Sequence, residues 1–172
     1  KIKRIISMLQ IDFSNIFKVG ETHGVSKREF THNKKLLKKY LSQFLGRGQH
    51  FHEILDDKKT IDSIKLYAKE VKGEYDDVVV LGIGGSALGT ICLKQSLKHL
   101  YKSEIPESGV PRLHIVDNID PVLIEEVKEI INLKRTLFLV ISKSGSTPES
   151  MSAFLYFREE VAKQGLAINR HF

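Results

Sequence analysis

Two short stretches hold the residues whose types and spacing are suited to chemistry. Gly82 to Gly89, "GIGGSALG", follows the branched apolar run Val78 to Leu81 and sets one serine, Ser86, among four glycines. Ser142 to Thr147, "SKSGST", puts four hydroxyl side chains into six positions directly before Pro148. Glycines let the backbone approach a ligand closely, and free amides at a helix N-terminus point toward an anion. Hydroxyls beside such amides form a cage of donors for a phosphate monoester. The first stretch also satisfies G-x-G-x-x-[GA] through Gly82, Gly84 and Ala87, the pattern of a dinucleotide site. That site requires an acidic residue about 20 positions further on, whereas the nearest candidate, Asp117, lies more than 30 residues beyond Gly84. Phosphate is therefore the better-supported guest. The competing account of the second stretch is a hydroxyl-rich turn that caps a helix, for which Thr147 and Ser146 suffice.

These stretches need elements to hold them. From residue 60 onward the apolar pattern alternates between helical spacing and short continuous runs. "TIDSIKLYAKEVKG" carries Ile61, Ile64, Ala68 and Val71 at helical spacing and stops at Gly73, a residue suited to the left-handed turn after a helix. Val78 to Leu81 is a strand. Leu88, Ile91, Cys92 and Leu97 mark a second helix, with Cys92 on its core side, and "PRLHIVDN" contains a second strand. Asp120-Pro121 is a cap and first-turn signature opening a third helix. "TLFLVIS" is a third strand. Thr147-Pro148 opens a fourth helix with Met151, Phe154, Leu155 and Ala162 on one side and Gly165 beyond its end. Strands apolar on both faces, separated by helices, specify an α/β fold with a parallel sheet covered on each side, whose ligands bind at the strand C-terminal edge. "YKSEIPESGVP" reads as an exposed loop.

At 172 residues the chain can bury one ordinary core. No apolar run approaches the roughly 20 residues that a membrane helix requires, so no membrane partner is expected. The net charge of +6 resides in residues 1–50, which hold 11 Lys/Arg against 3 Asp/Glu. There, "SKREFTHNKKLLKKYLSQFL" places Phe30, Leu37, Leu41 and Phe44 on one stripe and Lys34, Lys35, Lys38 and Lys39 largely elsewhere, the pattern of an amphipathic helix docked on a core with a solvated lysine face. No nucleic-acid partner is expected. The organisation is an N-terminal helical segment, 1–50, followed by an α/β unit, 51–172. The single cysteine cannot form an internal disulfide, and "KIKRIISMLQ" lacks the apolar core and cleavage site of a secretory signal. The expected setting is cytoplasmic. His50 and His52 lack a partner at metal-site spacing, and no metal is expected. His114 falls in a strand as a structural residue, while His23, His32, His99 and His171 form no constellation.

"GIGGSALG" and "ISKSGSTPES" resemble the two N-terminal motifs of the glucose-6-phosphate isomerase family, in its sugar isomerase (SIS) domain. They occur in the family's order, about 60 residues apart, and "VDNID" between them is similar to the family's second-strand ending. The resemblance implies a three-layer αβα fold of SIS type. It also implies an aldose-ketose isomerase of glycolysis and gluconeogenesis, interconverting glucose 6-phosphate and fructose 6-phosphate as a homodimer without a cofactor. By the same resemblance Ser142, Ser144 and Thr147 stand where the family binds the sugar phosphate through hydroxyls, with Lys143 contributing its backbone. Gly85 and Ser86 stand where the first loop touches substrate. Glu149 occupies a position usually Glu and is not assigned to catalysis, since its charge also suits the helix N-terminus. Ser146, Pro148 and Ser150 depart from the family pattern, and Pro148 fits the first helical position.

The family's glutamate base, ring-opening histidine, C-terminal lysine and Gly-Gly-Arg arginine match no stretch here. The chain is therefore expected to be an N-terminal fragment, the first part of the SIS domain with an incomplete sheet, carrying no catalytic residue and inactive alone. A non-catalytic phosphosugar-binding SIS module of a regulator is the alternative, and a nicotinamide-dependent dehydrogenase the third.

Overall fold

The polypeptide separates into two compact units at Ile61 and Asp62, eleven residues beyond the expected division at residue 50. The computed structural model describes residues 12–20, 22–48, 51, 53–97 and 109–172. His50, His52, His99 and most of the expected exposed loop lie outside these.

In the first unit, α1 (Lys27–Leu45) starts at a capping box. The Glu29 N–H donates to Ser26 Oγ at 3.1 Å and the Ser26 N–H to Glu29 Oε2 at 2.9 Å, so two otherwise orphan donors are satisfied reciprocally. Phe30 packs against Phe13 and Phe17 with ring centroids 5.7 and 5.4 Å away. Phe44 meets Phe51 at 5.9 Å. Between these ends Leu37 and Leu41 are more than half exposed, so the expected docking along the whole stripe is corrected. Periodicity identifies the apolar face of a helix, and says nothing about how much of it a partner covers. The lysines at 34, 35, 38 and 39 are exposed.

In the second unit, α2 (Lys58–Glu70), which begins before the boundary, is followed by β1 (Asp77–Leu81), α3 (Gly85–Leu97), β2 (Arg112–Val116), α4 (Pro121–Ile130), β3 (Thr136–Val140) and α5 (Pro148–Lys163). The strands form one parallel sheet in the order β2-β1-β3. The register pairs Leu81 with Val116 on one side and with Val140 on the other. Residues in register share a face of the sheet, so Val79, Leu81, Val116 and Phe138 form one apolar layer. Against it pack Val127 of α4 and Ala153, Phe157 and Val161 of α5. Val80 and Leu137 are buried on the opposite face, where the right-handed crossover rule puts α3. This is a three-layer α/β arrangement with helices flanking the sheet.

Two expectations about helix faces are corrected. Cys92 is exposed, as are Leu88, Leu93 and Leu97 of the same helix, while Ala87 is buried. In so apolar a helix, side-chain type does not single out the inward face. In α5 the buried residues are Ser150, Ala153, Phe157 and Val161, while Leu155 is 53% exposed. The spacing of this set, three, four and four, is a clean helical stripe, and Phe157 reaches the Phe138 ring at a centroid distance of 4.9 Å.

The N-terminal edge of the sheet is tied by charge. Asp77 and Arg112 are register partners, and His114 lies two positions along the same face. Arg112 Nε donates to Asp77 Oδ1 and an Arg112 terminal nitrogen to Oδ2, both at 2.8 Å. His114 Nε2 lies 2.8 Å from Oδ1, consistent with its expected structural role. Nearby, hydrogen bonds from Arg135 hold the Asp76 carboxyl below the ordinary aspartate range. His171 is buried on β3: its carbonyl accepts from the Phe138 N–H at 2.7 Å and its Nδ1 lies 2.8 Å from the Thr136 carbonyl.

Candidate functional site

Strand β1 sits in the middle of the sheet, and its crossover to β2 leaves toward one side while β3 lies on the other. The loops after β1 and β3 therefore diverge from neighbouring strands, which is the topological switch point where open α/β sheets bind ligands. The pairing continues just past the strands. The Ile141 N–H donates to the Leu81 carbonyl at 2.9 Å, and the Gly82 N–H to the Val116 carbonyl at 3.2 Å. Adjacent strands are spaced by about 4.8 Å, so the two loops start side by side.

The first loop turns tightly into α3. The Ser86 N–H donates to the Ile83 carbonyl at 3.1 Å and the Ala87 N–H to Gly84 at 3.0 Å. A Cβ at Gly82 would lie 3.0 Å from the Ser86 carbonyl oxygen, so a side chain there would push the turn aside by a few tenths of an ångström. Gly85 is different: a Cβ there would meet nothing within 4 Å. The Ser86 hydroxyl makes no hydrogen bond among the described residues and is half-buried.

The second loop is organised by its own hydroxyls. Ser142 Oγ accepts from the Gly145 N–H at 3.0 Å and lies 3.4 Å from Thr147 Oγ1. Ser144 Oγ accepts from Ser146 twice, from its N–H at 3.3 Å and from its hydroxyl at 3.0 Å. Gly145 adopts φ +70°, which lets the loop fold back on Ser142. Thr147 is the N-cap of α5, with Pro148 next, yet its side chain accepts no cap hydrogen bond. The simple capping account is thereby weakened, because neither Thr147 nor Ser146 spends its hydroxyl on a helix amide. Lys143 and Ser144 are exposed, Ser142 and Thr147 half-buried.

Ser142, Lys143, Ser144 and Thr147 thus share one loop, with Gly85 and Ser86 at the start of the helix following the neighbouring strand. The hydrogen bonds from Ser146 to Ser144 were not foreseen. The signal for them was the two-residue spacing of the serines, which suits a side chain that bonds the backbone two positions on. Glu149 stands in the first turn of α5, where its charge suits the helix dipole. A separate groove of about 760 Å³ runs between α2 and the sheet, bordered by Tyr67, Val71, Val78, Leu137 and Leu139. Its lining is mainly apolar, with Tyr67, Lys72 and Tyr75 among its borders, and it lies apart from the two loops.

A contrast between two glycines follows. Gly145→Ala should destabilise the fold by about 1–2 kcal/mol, because a Cβ opposes the left-handed conformation. Gly85→Ala, in a helix with open space around it, should leave stability equal or raised by up to about 1 kcal/mol. Chemical denaturation of both variants checks this, and equal losses would contradict it.

A family model described as Phosphoglucose isomerase matches residues 48–172. The glucose-6-phosphate isomerase of Carboxydothermus hydrogenoformans is 34% identical over 166 residues, covering 91% of this chain and 35% of that protein. That of Rubrobacter xylanophilus is 31% identical over 153 residues, covering 88% and 35%. The crystal structure of a glucose-6-phosphate isomerase from Chlamydia trachomatis matches with a TM-score of 0.54 at 33% identity, over 62% of this chain and 19% of that one. The chain spans about a third of the length of the curated relatives it matches.

Proposed function

The chain belongs to the phosphoglucose isomerase family, and from that premise we propose that its two switch-point loops grip the phosphate of a sugar phosphate for an aldose-ketose isomerase. The substrates are glucose 6-phosphate and fructose 6-phosphate, the setting is cytoplasmic glycolysis and gluconeogenesis, and the enzyme works as a homodimer. Ser142, Ser144 and Thr147 donate hydroxyl hydrogen bonds to the phosphate and Lys143 its backbone N–H. Gly85 and Ser86 approach the substrate from the neighbouring loop. Isomerisation requires a base that takes the C2 proton of the open-chain aldose and returns it to C1, with further acid-base help to open the ring. Those groups come from outside these 172 residues, and the chain acts as the phosphate-holding portion of the enzyme.

The observation that carries this reading is the state of the loop hydroxyls. Ser142 and Ser144 use acceptor capacity inside the loop, and Thr147 leaves its helix amides uncapped. Ser144 therefore keeps its hydrogen for an anion at a helix N-terminus, and so does one of the pair Ser142 and Thr147, whose hydroxyls lie 3.4 Å apart and share a single hydrogen bond that the anion would replace. In the complete enzyme Ser144→Ala and Thr147→Ala should each cost about 1.5–3 kcal/mol of sugar-phosphate binding, because each removes a hydrogen bond to a charged group. Calorimetric titration checks this by comparing glucose 6-phosphate with an unphosphorylated sugar, whose affinity should barely change. Equal loss for both ligands would reject the phosphate assignment.

A further inference from the structure

Resting on the phosphate reading above, we propose that Ser146 is a positioning residue that fixes Ser144 as a hydrogen-bond donor to the bound phosphate. A serine hydroxyl has one hydrogen to give and two lone pairs to receive. Both lone pairs of Ser144 Oγ are taken by Ser146, one by its N–H at 3.3 Å and one by its hydroxyl at 3.0 Å. What remains on Ser144 is its own hydrogen. An ionised phosphate offers only acceptors, so a hydroxyl committed to donation is matched to it before binding.

Ser146 is exposed, and its hydroxyl is committed to Ser144 rather than to the amides of α5, whose N-cap is Thr147. Without the Ser146 hydroxyl, the Ser144 rotor would be held only by the longer bond from the Ser146 amide. Its hydrogen would then sample other directions, and part of the interaction with the anion would be spent on reorienting it. Ser146 thus acts through Ser144 and makes no contact with the ligand in this arrangement.

The test is a double-mutant cycle on the complete enzyme, with inorganic phosphate as the probe and its inhibition constant against glucose 6-phosphate as the readout. Ser146→Ala should weaken phosphate binding roughly three- to tenfold, the range of one neutral hydrogen bond. Ser146→Thr, which keeps the hydroxyl, should restore affinity to within about twofold of the wild type. In a Ser144→Ala background, Ser146→Ala should add nothing, because the group it orients is gone. A general loosening of the loop would instead weaken binding by the same factor in both backgrounds, and that result would overturn the proposal. So would unchanged affinity in Ser146→Ala while Ser144→Ala binds weakly. If Ser144→Ala itself leaves phosphate affinity intact, the phosphate reading fails and this proposal falls with it, an outcome distinguishable from the other two.

Discussion

Asp77→Ala should destabilise the α/β unit by about 3–5 kcal/mol, the usual cost of removing one partner from a buried ion pair. The Asp77 side chain is fully buried, and its two oxygens receive a two-pronged contact from Arg112 and one from His114. Arg112 also donates to the carbonyl of Ile130 at 2.8 Å, so the carboxylate anchors a guanidinium that holds the last residue of α4. Removing the carboxylate leaves Arg112 and the 14%-exposed His114 side chain without their acceptor. The Arg112 side chain remains 43% exposed, and water recovers part of its loss, which favours the lower half of the range. Asp77→Asn, which keeps the shape and one acceptor oxygen, should cost less, about 1–3 kcal/mol. Urea denaturation measures both. An Asp77→Ala variant within about 0.5 kcal/mol of the wild type would contradict the role assigned to this pair.

The second large effect concerns turnover. The 172-residue chain alone should show no isomerase activity in a preparation free of host enzyme. Its positioned histidines are at the wrong end of the sheet. His114 is held by Asp77, the first residue of β1, and His171 by Thr136, the first residue of β3. The two candidate loops follow the last residues of those strands, about 13 Å away along a five-residue strand. His23 and His32 belong to the first unit. A sugar phosphate held at the loops therefore finds no described histidine from its own unit within reach to open its ring. Measurable interconversion of glucose 6-phosphate and fructose 6-phosphate by the purified chain would contradict this.

Much of the architecture was legible because it is written in local signals. Asp120 before Pro121 caps α4 as its residue type demands, accepting from the Val122 N–H at 2.9 Å. The apolar runs at 78–81 and 137–140 form strands because a sheet covered on both sides admits no polar alternation. The two loops were legible for a related reason, since glycine and hydroxyl side chains are concentrated where a strand turns into a helix. What sequence could not give is pairing between distant segments. Asp77 and Arg112 are 35 positions apart, and only the strand register sets them opposite one another. The faces of α3 and α5 failed similarly. Each helix carries apolar residues around much of its circumference, and the neighbouring sheet selects which of them are buried. The link between Ser146 and Ser144 depends on the fold of a six-residue loop, for which composition gives no geometry.

The central claim is that a single phosphate is held jointly by the loops after β1 and β3. Its most direct test is a crystal structure of the complete enzyme with glucose 6-phosphate bound. The account predicts the phosphate oxygens within hydrogen-bond distance of the Ser142, Ser144 and Thr147 hydroxyls and the Lys143 N–H, with Gly85 and Ser86 against the same ligand. A sugar phosphate seated elsewhere, with those hydroxyls facing only solvent, would contradict it.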